Sequence, residues 1–135
     1  MDDIHINDLE AAINHWRATH PARDACSALH PATQALAQVY AHMICEHLHH
    51  IAWPQLSEPA QQAWLTWYET QPDTPCIAIC STSQGDDVCK GCGRTFAEVQ
   101  HWPAMTPTAK RQVWRRITLE ASSWRFGRYA ERAQR

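Results

Sequence analysis

The sequence has no apolar run long enough to span a membrane, and its first ten residues, MDDIHINDLE, lack the apolar core of a secretory signal. Charged residues make up only 19% of the chain, which is low for a disordered protein, whereas hydrophobic residues make up 44%. We therefore expect a folded cytoplasmic protein without a membrane association. Its 135 residues suit one compact domain or two small ones.

The patterns of common catalytic sites are also missing. The chain has no Ser/His/Asp order, no glycine-rich phosphate loop and no pair of carboxylates in a catalytic context. This lack favours a non-enzymatic protein. What the sequence does contain is six cysteines and nine histidines, and these residues direct attention to metal chemistry.

Charge is distributed unevenly along the chain. Residues 1–106 contain four Lys or Arg and twelve Asp or Glu, whereas residues 107–135 contain eight basic and two acidic residues. The basic segment can bind an acidic partner such as nucleic acid, or it can fold back on its own acidic body. The net charge of −2 favours the second interpretation. The candidate nucleic-acid contacts are Lys110, Arg111, Arg115, Arg116, Arg125 and Arg128.

Apolar spacing and cap residues predict a mostly α-helical fold. A first helix is expected to begin at the N-cap Asn7, with Glu10 at capping-box spacing. A second helix is expected to begin near Pro31 and to run toward Pro54. Further helix starts are predicted at Ser57, Thr95 and Thr106, the last helix continuing past Trp124 toward Gly127.

Two prolines, Pro72 and Pro75, mark a stiff linker in the middle of the chain. The sequence therefore predicts an N-terminal helical region over residues 1–71. Residues 72–135 are predicted to form a cysteine-rich metal-binding loop between helices, followed by the C-terminal helices. We expect the two regions to pack as one body.

Four cysteines carry the clearest chemical signal. Cys76, Cys80, Cys89 and Cys92 follow the spacing C-x3-C-x8-C-x2-C. Four thiolates complete a tetrahedral site for a soft cation, and each closely spaced pair can hold one ion or cluster from a single turn. The spacing predicts that all four are ligands of one metal centre, and it suits zinc as well as an iron–sulfur cluster.

Residues around the second pair favour thiolates. Gly91 and Gly93 permit a tight turn and the approach of backbone N–H groups to sulfur. Lys90 and Arg94 are expected to offset the negative charge of the thiolates. The helix capped by Thr95 follows directly and presents the positive end of its dipole.

Segments Pro75–Cys80 and Cys89–Val99, followed by Trp102, resemble a small bacterial family, number 1289 in the domain-of-unknown-function series, over residues 74–120. Members of that family are often described as predicted Fe–S proteins. Residues 5–45 resemble a second uncharacterised family, number 3717. The resemblance implies an iron–sulfur cluster, such as a 4Fe–4S cluster, and no particular reaction.

The sequence thus predicts a small non-enzymatic iron–sulfur protein with a regulatory, sensing or protein-interaction role. One alternative is a structural zinc module that contacts nucleic acid or a protein partner through its basic C-terminal helix. Another alternative is an electron-transfer protein that serves an enzyme.

A histidine cluster offers a second candidate metal site. His42, His47, His49 and His50 accompany Glu46, and on a helix several of them would share one face. The alternative interpretation is a polar helix end, where cationic groups suit the dipole. The remaining cysteines, Cys26 and Cys45, are expected to act as small apolar residues.

Overall fold

The structure is a computed structural model that describes residues 3–21 and 30–127. The chain divides into two compact units, Met1–Gln71 and Pro72–Arg135. Cys26 and Arg128 lie outside the described residues. No helix among the described residues is long and apolar enough to cross a membrane.

The predicted mostly helical fold is confirmed. The α-helices in the described residues are α1 (Ile6–Thr19), α2 (Pro31–Cys45), α3 (Glu58–Tyr68), α4 (Phe96–His101) and α5 (Pro107–Glu120). Two short strands, β1 (Asp3–His5) and β2 (His50–Ala52), pair antiparallel, with Ile4 opposite Ile51. Single 3₁₀ turns cover Trp53–Gln55, Ser81–Gln84, Trp102–Ala104 and Trp124–Phe126.

Helices α1, α2 and α3 form the first unit and enclose its apolar core. The indole of Trp16 on α1 donates a hydrogen bond to the carbonyl of Ala63 on α3, at 2.9 Å. Because this bond joins two helices, it fixes their relative position as well as satisfying a polar group. The largest buried side chains of the core are Ile4, Leu9, Leu36, Met43 and Trp64.

Histidines cap the first two helices. The Nδ1 atom of His5 accepts the N–H of Asn7 at 3.0 Å, so the prediction that Asn7 itself is the cap was wrong. His30 accepts the N–H of Ala32 in the same way, at 3.1 Å. Glu10, which was expected to complete a capping box, instead accepts a hydrogen bond from the Tyr40 hydroxyl on α2.

Helix α2 ends earlier than predicted. It stops at Cys45, and His47 has a positive φ of 55°, which turns the chain into strand β2. The buried Ile51 belongs to strand β2 and not to a helix. Apolar spacing alone did not distinguish a continuing helix from a strand, because one apolar residue after a turn fits both the helical and the strand periodicity.

Sequence signals located the helices of the second unit well at their starts. Thr95 and Glu98 form the predicted capping box of α4, and Thr106 caps α5. Helix α5 ends at Glu120 and not near Gly127, because Ala121 has a φ of 47° and reverses the chain. Its buried face, with Trp102 of the preceding turn, contributes Val113, Trp114 and Ile117 to the core of this unit.

Leu36 and Ile44 test the assignment of the buried face of α2. Leu36 is fully buried, whereas Ile44 on the same helix is 49% exposed. Leu36→Ala should lower the free energy of unfolding by about 3 kcal/mol, because it leaves a cavity. Ile44→Ala should change it by less than about 0.5 kcal/mol. Urea denaturation followed by tryptophan fluorescence measures both values, and equal losses would contradict the assignment.

Candidate metal centre

A tight turn formed by residues 89–94, here called the cysteine turn, organises the second unit. The N–H of Cys89 donates to the carbonyl of Arg94, and the N–H of Gly93 donates to the carbonyl of Cys89, both at 2.8 Å. Gly93 has a φ of +89°, which a residue with a side chain rarely adopts. These two hydrogen bonds hold both cysteines of the turn on one short piece of backbone.

Residues 79–81 pack directly on this turn. A Cβ atom at Gly91 would lie only 2.3 Å from the carbonyl oxygen of Ile79, so only glycine permits the contact. The N–H of Lys90 also donates to the hydroxyl of Ser81, at 2.8 Å. Since both neighbours of Cys80 contact the turn, the backbone of Cys80 is fixed beside it.

The chain that follows α5 adds a second contact. The N–H groups of Trp124 and Arg125 donate to the carbonyls of Lys90 and Gly91, both at 2.9 Å. The Arg125 guanidinium then donates to the carbonyl of Pro75 at 3.1 Å. Arg125 therefore links the cysteine turn to the residue that precedes Cys76.

The four cysteines fall into two pairs of different exposure. Cys89 and Cys92, the buried pair, are 2% and 1% exposed, and their thiols interact with each other. Cys76 and Cys80, the exposed pair, lie at the surface. The Cys76 sulfur accepts the N–H of Ala78 at 3.3 Å, and the Cys80 sulfur lies 3.0 Å from the hydroxyl of Thr82.

Within residues 3–21 and 30–127, no three His, Cys, Asp or Glu side chains form a group that could hold a metal ion. The structure thus brings the buried pair together, while the exposed pair keeps local hydrogen-bond partners. It does not show the closed four-cysteine loop that the spacing predicts. The histidine cluster does not form either, because α2 ends before His47, His49 and His50 can join His42 on one helix face.

Cys89 lies in surroundings that favour a thiolate. Burial by itself raises the pKa of this thiol, but hydrogen bonds from the backbone amides of Cys92, Ser81 and Gly91 outweigh it, so the pKa lies below its ordinary value. When protonated, the thiol donates to the Ile79 carbonyl at 3.3 Å. A lowered thiol pKa favours the thiolate, which is the form of cysteine that binds a metal.

Cys92 lies against a buried cation. Burial raises the pKa of the Cys92 thiol, and the adjacent Arg94 opposes that rise. Arg94 is only 6% exposed, its Nε atom lies 3.4 Å from the Cys92 sulfur, and its guanidinium lies 4.8 Å from the centre of the Trp102 ring. A buried guanidinium requires a compensating anion or dipole, and a thiolate at Cys92 would supply one.

Arg125 is a second cation at the site, and the sequence interpretation missed this role. Burial lowers the pKa of Arg125, and the charges of Cys92 and Cys76 oppose the change. Its guanidinium lies 4.6 Å from the centre of the Trp114 ring. Lys90, which was expected to offset thiolate charge, instead pairs with Asp86 at 3.7 Å and is 63% exposed. Arg125 lies 33 positions beyond Cys92 in the sequence, so no local spacing could identify it.

A buttress of one carboxylate and one guanidinium connects the cysteine turn to helices α4 and α5. Arg116 donates to both carboxylate oxygens of Glu98, at 2.5 and 2.7 Å, and to the carbonyl of Gly93 at 3.1 Å. Burial by itself raises the pKa of Glu98. The hydrogen bonds from Arg116 and the Thr95 backbone together have the larger, opposite effect, so the pKa of Glu98 lies below its ordinary value. The same carboxylate accepts the N–H of Thr95 in the capping box.

Much of the basic C-terminal segment is used inside its own unit. Lys110 pairs with Asp73 at 3.0 Å, and Arg116 pairs with Glu98. Arg125 contacts the Trp114 ring and the Pro75 carbonyl. These contacts agree with the interpretation that the basic residues fold back on an acidic body.

The described residues form two compact helical units, and the second unit contains the cysteine turn. The chain belongs to the family described as Protein of unknown function (DUF3717), whose model matches residues 2–69. Residues 74–121 match the model of a second family, described as Protein of unknown function (DUF1289). No curated protein and no solved structure matches the chain. Both resemblances noted in the sequence, and their order, are confirmed.

Gly91→Ala tests the close approach of residues 79–81 to the cysteine turn. The added methyl group would collide with the Ile79 carbonyl, so the variant should lose about 2 kcal/mol of stability through overpacking. Gly127→Ala is the matched control, since a Cβ there meets no atom within 4 Å. Chemical denaturation measures both, and an unchanged midpoint for Gly91→Ala would contradict the contact.

Glu98→Gln tests the buttress through its pH dependence. Because the pKa of Glu98 is depressed by folding, its contribution is complete above the unfolded value, about 4.3, and is lost as the pH falls through the lower folded value. At pH 7 the variant should lose about 1 kcal/mol, a value that allows for partial solvent screening of Arg116. The deficit relative to the unmodified protein should disappear in acid.

Glu120→Gln provides the control for that comparison. Glu120 lies 3.9 Å from the same guanidinium but is 53% exposed, so its removal should have little effect at any pH. Unfolding curves of the three proteins between pH 2 and pH 7 give the result, the range being set roughly by carboxylate titration. A deficit of Glu98→Gln that persists at the acid end would exclude the charge-based explanation.

Proposed function

We propose that the second unit holds a metal centre through Cys76, Cys80, Cys89 and Cys92, and that the protein is a small non-enzymatic metalloprotein. The favoured occupant is an iron–sulfur cluster, and zinc is the alternative. The role that we propose is regulation, sensing or interaction with a protein partner. The observation that carries the proposal is the burial of the Cys89 and Cys92 thiols in one turn, with the buried Arg94 guanidinium beside Cys92.

The buried pair supports the proposal because the pKa of the Cys89 thiol is lowered and a buried cation lies beside Cys92, whose own pKa is raised by burial. The Arg94 Nε atom lies 3.4 Å from the Cys92 sulfur, and Arg94 has almost no exposure to water. Two neutral thiols would leave the Arg94 charge without an anion, at a cost in free energy. Metal-bound thiolates would provide that anion, and the Cys92 thiolate would accept the hydrogen bond from Arg94.

Ligation by the exposed pair would require a local rearrangement of the two thiols. Hydrogen bonds fix the neighbours of Cys76 and Cys80 to the cysteine turn through Arg125 and Ser81. To complete the site, the Cys76 thiol would have to give up the Ala78 amide, and the Cys80 thiol would have to give up the Thr82 hydroxyl. Each exchange replaces one weak hydrogen bond to sulfur with a metal–sulfur bond.

Charge balance gives further support. A divalent ion or a 4Fe–4S cluster in its 2+ state, bound by four thiolates, carries a net charge of about −2. Arg94 lies beside Cys92. Burial lowers the pKa of Arg125, and the smaller effect of the charges of Cys92 and Cys76 raises it. The guanidinium groups of Arg94, which is buried, and Arg125, which is partly buried, would offset that negative charge.

The choice between iron–sulfur and zinc depends on the surroundings of the sulfur atoms. Iron–sulfur clusters lie in irregular loops where N–H groups donate to sulfur, and the Arg94 N–H donates to the Cys92 sulfur in the cysteine turn. The resemblance to a family often described as predicted Fe–S proteins points the same way. A zinc ion would act as a staple, and its loss would unfold the turn.

Metal analysis of protein purified without oxygen tests the proposal. We expect iron and sulfide in stoichiometric amounts, with a broad absorption band near about 400 nm. Colourless protein with stoichiometric zinc would support the alternative occupant. Protein that binds neither metal, while folded by circular dichroism, would exclude a metal centre.

Two cysteine variants provide matched controls for that measurement. Cys92→Ser should abolish stoichiometric metal binding, because it removes a ligand next to Arg94. Cys45→Ser should leave the metal content unchanged, since Cys45 is an exposed thiol in the first unit. Equal metal content in both variants would show that the cysteine turn does not hold the metal.

A further inference from the structure

An open cavity of about 370 Å³ lies at the start of helix α4. Its lining comes from the 3₁₀ turn Ser81–Gln84, from the segment after that turn and from α4, and consists of Thr82, Ser83, Gly85, Asp86, Asp87 and Phe96. The volume lies near the lower limit of ligand pockets, about 300 Å³, so the cavity suits one side chain and not a large ligand. Among the described residues, no cysteine lines this cavity, which makes it a separate feature from the candidate metal centre.

Backbone pairing fixes Phe96 opposite Asp87. The N–H of Phe96 donates to the carbonyl of Asp87 at 2.8 Å, next to an antiparallel bridge between Val88 and Thr95. Residues that lie opposite each other in an antiparallel pair direct their side chains to the same face. The side chains of Asp87 and Phe96 therefore lie side by side, and both line the cavity. Because successive residues of an extended segment alternate between faces, Val88 is directed to the other face.

The ring of Phe96 is partly open to water. This residue is 47% exposed, and it is the first residue of α4, whose capping box holds the backbone in place. A single exposed apolar side chain is common on protein surfaces and by itself indicates no function. A ring that lines a cavity beside carboxylates is different, because it offers a cation both an apolar surface and the negative face of its π-system.

The carboxylates of the cavity are not fully neutralised. Lys90 pairs with Asp86, but the two atoms are 3.7 Å apart and the Lys90 side chain is 63% exposed. An exposed ion pair of this kind contributes little free energy, so another cation can replace it. The Asp87 side chain is exposed and has neither an ion pair nor a hydrogen bond with any other residue that the structure describes. The cavity therefore presents a negative charge next to the Phe96 ring.

An arginine side chain matches this combination of groups. Its guanidinium donates two parallel hydrogen bonds to a carboxylate, and its flat face stacks on an aromatic ring. The second unit already contains such contacts, since Arg94 lies 4.8 Å from the centre of the Trp102 ring. Arg125 lies 4.6 Å from the centre of the Trp114 ring. The carboxylates would repel an anion, and an uncharged ligand would cover the Asp87 carboxylate without supplying a counter-ion.

We propose that the cavity binds an arginine side chain of a partner protein, with the guanidinium on the Phe96 ring and against the Asp87 carboxylate. The inference rests on the protein-interaction role proposed above, and it names the chemistry of the partner. It does not depend on which metal the cysteines hold.

Isothermal titration calorimetry of the full chain, purified without oxygen, tests the proposal. The probe is a blocked pentapeptide with one arginine between glycines, and the control peptide carries citrulline, which has a similar shape without the charge. The arginine peptide should bind at least about tenfold more tightly, because only its side chain forms a charge-assisted pair with the carboxylate. Its affinity should fall as the salt concentration rises, since the carboxylates are exposed. Equal affinities for the two peptides, or no binding of either, would overturn the inference.

Two substitutions in the cavity identify the place of binding. Phe96→Ala and Asp87→Asn should each weaken binding about fivefold, the first by removing the ring and the second by removing the charge. Val88→Ala is the matched control for the first, because Val88 is 50% exposed but lies outside the set of residues that line the cavity. Glu69→Gln is the matched control for the second, because Glu69 is an exposed carboxylate in the first unit. Controls that weaken binding as much as the cavity variants would contradict the assignment of this cavity.

Metal analysis of the same samples separates this inference from the proposed metal centre. We expect Phe96→Ala to lose peptide binding while its metal content and far-ultraviolet circular dichroism spectrum stay unchanged. Protein that contains metal but does not bind the arginine peptide would overturn the arginine site and leave the metal centre intact. Protein that contains no metal, yet binds the peptide and loses that binding in Phe96→Ala, would overturn the metal centre and support the arginine site.

Discussion

The contact between the Gly91 backbone and the Ile79 carbonyl is the constraint on which the second unit depends. With any side chain at position 91, the two segments would have to separate, since a Cβ atom would lie 2.3 Å from the carbonyl oxygen. That separation would break the hydrogen bond from the Cys89 thiol to the Ile79 carbonyl and the one from the Lys90 N–H to the Ser81 hydroxyl. Both hydrogen bonds thus depend on one close approach of two backbone segments.

Much of the local structure was predictable, because capping and turn signals act over three or four residues. The starts of α3, α4 and α5 at Ser57, Thr95 and Thr106 follow directly from their hydroxyl side chains. The ends of α2 and α5 were not predictable, since the positive-φ residue that follows each helix, His47 or Ala121, is not a glycine. Such a conformation is imposed by contacts elsewhere in the fold, and the sequence around it carries no signal for it.

The cysteine site shows a similar division. The sequence placed Cys89, Cys92, Gly91, Gly93 and Arg94 together, because all of them lie within one short turn. It also predicted that Cys76 and Cys80 join them in one metal group, which the described residues do not show. The sequence did not identify Arg116, Arg125 and Glu98 as members of the site. Their contacts arise from tertiary packing of residues that are distant in the sequence. Unequal exposure of the two cysteine pairs also depends on tertiary structure, and C-x3-C and C-x2-C spacings do not differ in this respect.

The basic C-terminal segment illustrates why a charge pattern alone does not define a partner. Its lysine and arginine residues suggested phosphate contacts, yet Lys110, Arg116 and Arg125 each meet an acceptor or an aromatic ring within the second unit. A cation that already satisfies a carboxylate would have to break that pair before it could bind a phosphate, which lowers the net gain. Two of these residues also stabilise the cysteine turn. The Arg116 guanidinium donates to the Gly93 carbonyl, the backbone N–H of Arg125 donates to the Gly91 carbonyl, and the Arg125 guanidinium donates to the Pro75 carbonyl. Part of the positive charge of this segment is therefore already used in contacts within the second unit.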